Sequence, residues 1–213
     1  DAPVRARGWD ERPVERRLDD PVREARMYKV LAHEFLPGYD ISVWIDANYL
    51  VTGDVRALVE EKLAEAPMAV FDHAATRSDP RGCVYDEYGS IMEMGRATGR
   101  FKDDPDRMTE QIERYRAEGY PAGKGLVFTA VLLRKHNDPA VVRAMNRWWS
   151  EIERGSRRDQ LSIDYAAWKE GLPLERIGED LRSSSWFEMI AHHRRSYALP
   201  LLRHRLRRML GMR

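Results

Sequence analysis

Three short apolar runs, separated by amphipathic segments, constrain the fold of this chain most strongly. They are "ISVWI" at 41–45, "MAVFDH" at 68–73 and "LVFTAVLLR" at 126–134. Each run is rich in β-branched or aromatic residues and is too short for a typical helix, which predicts buried strands. Strands that alternate with helices are typical of a layered α/β domain rather than of a helical bundle or an all-β sandwich.

The segments between these runs carry helix signals. Asp20 suits the N-cap position and Pro21 suits the first helical position, which together predict a helix start there. Apolar residues at helical spacing predict further helices, which begin near residues 54, 104, 138 and 157, and the chain after Pro80 and Gly82 is expected to turn helical toward Met92.

The composition allows one substantial core and excludes several classes of protein. Of 213 residues 43% are hydrophobic, and we expect one domain over residues 1–193 with a basic tail over 194–213. The 36 basic and 35 acidic residues nearly cancel, so the chain lacks the cationic excess with which nucleic-acid-binding proteins neutralise phosphates. Cys83 is the single cysteine, which excludes an intramolecular disulfide and a cysteine-based zinc cluster.

Targeting signals are not evident in this sequence. No apolar run approaches the ~20 residues of a membrane-spanning helix. The opening, "DAPVRARGWDERPVERR", is charged and has no apolar core of a signal peptide. We therefore expect a cytoplasmic location.

Asp46 and Asn48 follow the first predicted strand directly. In an open α/β sheet, ligands bind beyond the carboxyl ends of the strands, which is where these side chains would lie. A carboxylate and an amide two residues apart can hold a hard divalent cation, which in turn binds a diphosphate. The same pair suits a turn, with Asp46 as a cap and Asn48 in a left-handed conformation. The residues alone leave both interpretations open.

Basic and histidine side chains near this strand suggest a site for an anion. Arg26, Lys29 and His33 lie three and four residues apart, so they share one helical face that would neutralise a pyrophosphate or simply face solvent. His73 ends the second predicted strand, and His136 follows the third. A histidine there serves as an acid, a base or a metal ligand, or it only completes a turn.

Two more stretches carry polar groups in a suggestive arrangement. Arg81 and Glu87 lie in the loop and helix after His73, from which side chains can converge on a ligand. "SRRDQLS" predicts that residues 157–160 form the first turn of a helix. Arginines at a helix N-terminus oppose the helix dipole unless an anion or a carboxylate faces them.

The tail "HHRRSYALPLLRHRLRRMLGMR" interleaves arginines with leucines. A basic amphipathic helix of this kind rests on anionic membrane surfaces, which predicts peripheral contact with the inner face of a membrane. A tail that docks on the core or stays disordered explains the same composition.

Five stretches of the chain match one known pattern in order and spacing. They are "ARMYKVLAHEFLPGYDISVWIDANYLV", "RGCVYDEY", "QIERYRAEGYP", "GLVFTAVLLRKH" and "WWSEIERGSRRDQLSIDYAAWK", within roughly residues 22–170. They resemble a glycosyltransferase-like family, long known as a domain of unknown function, that includes bacterial sugar transferases and plant mucilage and pollen proteins. The resemblance implies a bacterial enzyme with a GT-A-like α/β fold. Its Rossmann-like mixed sheet would be flanked by helices and would lack the family's first strand.

The resemblance also implies roles for particular residues. Asp46 and Asn48 match the family's Asp-x-Asp element, which holds Mn²⁺ or Mg²⁺ against the donor diphosphate, although Asn48 replaces the second aspartate and supplies no charge. His136 is the third expected metal ligand. Donor-binding roles are implied for Arg26, Lys29, His33, His73, Arg81 and Arg158, and catalytic roles for Glu87, Asp159 and Gln160.

These roles predict transfer of a hexose-type sugar from a nucleotide-diphosphate donor to a hydroxyl of a glycan or glycolipid, without a nucleic-acid partner. Asp159 or Glu87 would act as the base or would position the acceptor. The alternative is a non-catalytic nucleotide- or glycan-binding domain, which Asn48 favours. A hydrolase fits less well, because the sequence has no serine nucleophile elbow and no histidine-rich zinc motif.

Overall fold

The structure is a computed structural model that describes residues 10–190 together with Leu202, Leu206 and Met209. Within these residues the chain forms seven α-helices and six strands. In chain order they are α1 (Pro21–Val30), α2 (Ala32–Phe35), β1 (Ser42–Ile45), β2 (Tyr49–Val51), α3 (Val55–Lys62), β3 (Met68–Asp72), α4 (Val84–Thr98), α5 (Pro105–Ala117), β4 (Val127–Arg134), α6 (Pro139–Arg154), α7 (Ile163–Glu170), β5 (Glu175–Ile177) and β6 (Phe187–Met189).

Four of the strands form one mixed sheet in the order β1-β4-β3-β5. β4 is antiparallel to both β1 and β3, whereas β3 and β5 are parallel. β2 and β6 form a separate antiparallel pair. The predicted α/β class, with a mixed sheet flanked by helices, is confirmed and is compatible with a Rossmann-like fold.

The strand directions decide which residues meet at each end of the sheet. Asp72 at the end of β3 pairs with Val127 at the start of β4, and Ser42 at the start of β1 pairs with Arg134 at the end of β4. The carboxyl ends of β1 and β3 therefore meet the amino end of β4. We call this the Asp46 end of the sheet, and we call the opposite end the His136 end.

Helix starts follow the predicted capping chemistry. Asp20, Asp54, Asp104 and Asp138 precede α1, α3, α5 and α6, and each side chain accepts hydrogen bonds from two amides of the first turn. Such a cap contributes about 1 kcal/mol to helix stability. The helix starts predicted near residues 20, 54, 104 and 138 are confirmed.

Apolar side chains cover both faces of the sheet. Met68 and Val70 of β3 pack into a cluster with α1, α6 and α7, while Ala69 and Phe71 pack on the other face with Leu58 of α3. A third cluster joins α4, α5 and α7. Alternation along β3 thus places a core on each side of the sheet.

Two local predictions are wrong. β1 is an edge strand with Val43, Trp44 and Ile45 only half-buried, because β4 alone flanks it. The helix predicted from about residue 157 begins only at Ile163 and is preceded by a 3₁₀ turn at Asp159–Leu161. Strands β2, β5 and β6 have three residues each, which is too short to show a periodic pattern.

The predicted basic tail lies outside the described residues except at three positions. Leu202, Leu206 and Met209 are helical and exposed. In the described part of the chain, no helix combines the length and apolarity needed to cross a bilayer.

Candidate functional site

Charged side chains from distant parts of the chain meet at the Asp46 end of the sheet. We call them the charge cluster, and they form ion pairs between four cations and four carboxylates. The members are Arg26, Lys29, Arg81 and Arg158 with Asp46, Asp79, Glu87 and Asp159.

Lys29 lies at the centre of the first half of this cluster. Its Nζ is 2.6 Å from Asp159 Oδ2 and 3.6 Å from Asp46 Oδ1, and its side chain has no exposed surface. Arg26, one turn earlier on α1, places its Nε 3.2 Å from the same oxygen of Asp159. Trp44 Nε1 donates to Asp46 Oδ1 over 2.7 Å. Lys29 thereby joins the end of β1 to the turn that precedes α7.

Asp159 is almost wholly buried, at 2% exposure, yet it stays ionised. Burial by itself raises the pKa of this carboxyl, but Lys29 and Arg26 outweigh burial and hold the pKa below its ordinary value. Its Oδ1 also accepts the backbone N–H of Gln160 over 3.0 Å. A carboxylate with a low pKa and both oxygens engaged is a poor proton acceptor. The geometry suits it to hold Lys29 and Arg26 in place.

Glu87 plays the corresponding part in the second half of the cluster. Its buried Oε1 accepts from Arg158 Nη2 over 2.6 Å and from Arg158 Nε over 3.1 Å, and its Oε2 accepts from Arg81. Arg157 lies 3.3 Å from Asp20 and 3.1 Å from Asp103. Carboxylates therefore face both arginines of "SRRDQLS", as expected for arginines that would otherwise oppose a helix dipole.

Gln160 and Asp164 supply hydrogen-bond partners for the backbone at the start of β4, beyond the residues of β4 that pair with β1. Val127 donates its N–H to Asp164 Oδ2 over 2.8 Å, and its carbonyl accepts from Gln160 Nε2 over 3.0 Å. Gln160 Oε1 also accepts from Arg158 Nη2 over 3.0 Å. Buried backbone groups need such partners, so Gln160 both completes the sheet and orients an arginine of the charge cluster.

His73 lies at the same end of the sheet but is nearly inaccessible, at 3% exposure. Its ring stacks on Phe128 with centroids 5.2 Å apart, and Arg182 packs on the same phenyl ring at 5.7 Å. Burial lowers the pKa of His73 and outweighs the opposing charge of Glu87, so the imidazole is neutral at pH 7. Arg182 could not be predicted from the sequence, because the irregular segment after β5 has no periodicity that places it over β4.

His33 and His136 lie at the other end of the sheet. His136 Nε2 donates to the carbonyl of Leu36 over 3.0 Å, and the pKa of His33 is lowered by burial and, more weakly, by Arg134 and His136 beside it. β1 alone separates the two ends by about 13 Å. The prediction that His136 shares a metal ion with Asp46 is wrong, because β4 runs antiparallel to β1.

The shared helical face predicted for Arg26, Lys29 and His33 is also wrong. α1 ends at Val30, and His33 belongs to the separate helix α2, so the break at Leu31 separates Lys29 from His33. Arg26 and Lys29 reach Asp159, whereas His33 turns to the His136 end. Arg26 and His33 therefore do not form one anion-binding face.

The residues at Asp46 fit a divalent ion that is shared with a phosphate ligand. Among the described residues, no three His, Cys, Asp or Glu side chains are grouped to hold a metal. Mg²⁺, however, is commonly bound by one or two carboxylates together with substrate phosphates. Asp46 keeps 32% of its side chain exposed, and Asn48 follows two positions later. The expected Mn²⁺ or Mg²⁺ stays a prediction.

Comparison with known proteins assigns the chain to a family. The TOD1/MUCI70 family, described as a glycosyltransferase-like domain, matches residues 14–177. The chain belongs to this family. The TOD1/MUCI70 match covers the whole charge cluster and supports a general glycosyltransferase function, with a sugar donor and an acceptor as substrates. No curated protein and no solved structure matches the chain.

Proposed function

We propose that this chain is a nucleotide-sugar hexosyltransferase, which moves a sugar from a nucleotide diphosphate to a hydroxyl of a glycan or glycolipid. The charge cluster carries the proposal. Arg26 and Arg158 lie at the Asp46 end of the sheet and keep 24% and 27% of their side chains exposed. Guanidinium groups bind phosphate oxygens with two parallel hydrogen bonds, which suits them to a departing diphosphate.

Buried carboxylates position these arginines. Asp159 holds Arg26, and Glu87 holds Arg158. Positioning before the reaction is what makes such charges effective, because they need no reorganisation when the leaving group develops its charge. We therefore assign Asp159, Glu87 and Gln160 to positioning rather than to proton transfer.

A bound Mn²⁺ or Mg²⁺ would offset the charge of the diphosphate. The four cations of the charge cluster are matched by four carboxylates, so the described members of this cluster have no net positive charge with which to neutralise a diphosphate. Asp46 and Asn48 would hold the ion, and we propose that it enters together with the donor. The neighbouring ammonium of Lys29 weakens binding of the ion alone.

The test is release of nucleoside diphosphate from a panel of nucleotide sugars in the presence of an acceptor. Asp46→Asn should lower turnover at least about 100-fold, in the range found for lost electrostatic stabilisation. Asp40→Asn is a matched control, because Asp40 is an exposed aspartate two residues before β1 begins, at the opposite end of the sheet. Full turnover by Asp46→Asn would refute the proposal.

A non-catalytic nucleotide-binding domain is the second candidate. The equal numbers of cations and carboxylates in the charge cluster and the neutral Asn48 favour it. It would bind a nucleoside diphosphate in calorimetry without turning over any nucleotide sugar of the panel.

A cytoplasmic location and peripheral membrane contact through residues 194–213 remain part of the proposal. Co-sedimentation of the full chain with anionic vesicles tests the contact. Removal of residues 194–213 should abolish co-sedimentation, and unchanged co-sedimentation would contradict the proposed role of the tail.

A further inference from the structure

A cavity of about 200 Å³ lies beside α7, outside the charge cluster. Its lining combines aromatic, acidic and basic side chains, among them Tyr120, Lys124, Asp164, Trp168 and Arg176. None of these residues was singled out as a site residue by the sequence. The cavity is smaller than the roughly 300–1,000 Å³ of sites for drug-sized ligands, so it suits a single ring.

The aromatic wall of the cavity is formed by two rings tilted by 55° to each other, and it is partly open. Trp168 is 38% exposed, and its ring lies 5.2 Å from that of Tyr120. Aromatic faces carry a negative quadrupole, which attracts the weakly positive C–H groups on one face of a pyranose. An accessible indole that borders a polar cavity is thus suited to stack on a sugar ring.

The polar wall holds an ion pair and two unsatisfied groups. Arg176 Nη2 donates to Asp164 Oδ1 over 2.5 Å and to the carbonyl of Lys124 over 3.1 Å. The hydroxyl of Tyr120 and Nη1 of Arg176 are buried, and neither makes a hydrogen bond within the described residues. Nη1 lies 4.0 Å from Oδ1 of Asp72, which is beyond hydrogen-bond distance. Buried polar groups are normally hydrogen-bonded, so these two leave hydrogen-bonding capacity for a polar ligand.

The ion pair in this wall favours a neutral ligand. Asp164 and Arg176 neutralise each other across their ion pair, and Asp164 is further held by the N–H of Val127. A bound anion would meet the carboxylate of Asp164, and a bound cation would meet Arg176. Hydroxyl groups, which both donate and accept, suit both partners.

We propose that this cavity binds one neutral pyranose ring of a glycan. Its use as the acceptor subsite rests on the proposed function. Val127 donates to Asp164 and accepts from Gln160, so one residue of β4 connects the cavity with the charge cluster. A sugar in the cavity lies beside the proposed donor site.

Calorimetry of the full chain with neutral methyl hexopyranosides and with methyl uronides tests the proposal. At least one neutral glycoside should bind with saturation, and the uronides should bind more weakly. Trp168→Ala should weaken binding about tenfold. Phe101→Ala is the matched control, because Phe101 is an equally exposed aromatic, at 38%, outside the cavity.

Tyr120→Phe keeps the test decisive if Trp168→Ala does not fold. It removes only a hydroxyl that has no protein partner in the described chain, so the fold should be unaffected while sugar binding weakens several-fold. Absence of glycoside binding by the wild-type chain would overturn the proposal. So would an affinity equal to that of the wild-type chain in both Trp168→Ala and Tyr120→Phe.

The outcomes separate this inference from the proposed function. Asp46→Asn should lose donor turnover and still bind the glycoside. If the glycoside binds but no nucleotide sugar is turned over, the proposed function fails and the sugar site stands. If turnover proceeds with an unchanged acceptor KM in Trp168→Ala and Tyr120→Phe, the sugar site fails and the function stands.

Discussion

Replacement of Asp159 by alanine should destabilise the chain by about 3–5 kcal/mol, because it leaves a buried ammonium without its close partner. The side chains of Lys29 and Asp159 are 0% and 3% exposed, and their charged atoms are 2.6 Å apart. Asp46, at 3.6 Å, is the remaining carboxylate near Lys29 and lies beyond hydrogen-bond distance.

Replacement of Lys29 should lower the free energy of unfolding by less than replacement of Asp159. In Lys29→Met the carboxylate of Asp159 keeps Arg26 at 3.2 Å, so we expect a loss of about 1–3 kcal/mol. The double variant should be more stable than Asp159→Ala alone, because no uncompensated ammonium is left. This order of stabilities follows from burial and not from the number of ion pairs.

Urea unfolding followed by tryptophan fluorescence measures these differences. Trp44 contacts Asp46 and Trp148 donates to the carbonyl of Asp159, so both report on this region. Lys169→Met is the matched control, because its ammonium also lies 2.6 Å from a carboxylate, on Glu118, but both side chains are about a third exposed. The control should lose about 1 kcal/mol or less. Equal losses in Asp159→Ala and Lys169→Met would refute the reasoning.

The same pair predicts how stability depends on pH. The folded-state pKa of Asp159 lies below its unfolded value, because Lys29 and Arg26 outweigh the effect of burial. Its contribution is therefore present above the unfolded pKa of about 3.9 and is lost as the pH falls through the folded pKa. The wild-type chain should lose more stability than Lys29→Met on acidification below that value.

Further predictions concern one surface carboxylate, the metal and one glycine. Hydrogen bonds from Lys169 and then Tyr165 lower the pKa of Glu118 to about 2, and an NMR titration of Lys169→Met should show it rising toward 4.5. Calorimetry should show Mn²⁺ binding strengthened by a nucleoside diphosphate, and Asp46→Asn should remove that gain. Gly125→Ala should cost about 1–3 kcal/mol in urea unfolding, since Gly125 has φ +88° and a Cβ there would lie 2.5 Å from Arg176 Cζ.

Local signals account for the part of the fold that the sequence predicted. Asp20 and Asp138 cap their helices through hydrogen bonds to residues two and three positions later, so neighbours along the chain suffice to predict them. The segment "LVFTAVLLR" forms β4 because its apolar residues are buried whichever strand pairs with it. Three-residue strands carry no such signal, which is why the sequence does not predict β2, β5 and β6.

The sequence by itself determined that Asp46 would lie at the end of a strand, because a run of apolar residues ends there. Tertiary structure alone decided which polar residues join it. The antiparallel direction of β4 sent His136 to the opposite end of the sheet. The fold brought Lys29 to Asp159 across 130 residues, where burial makes the pair strong and costly to break. Strand direction and burial depend on contacts between distant segments, which no local pattern encodes.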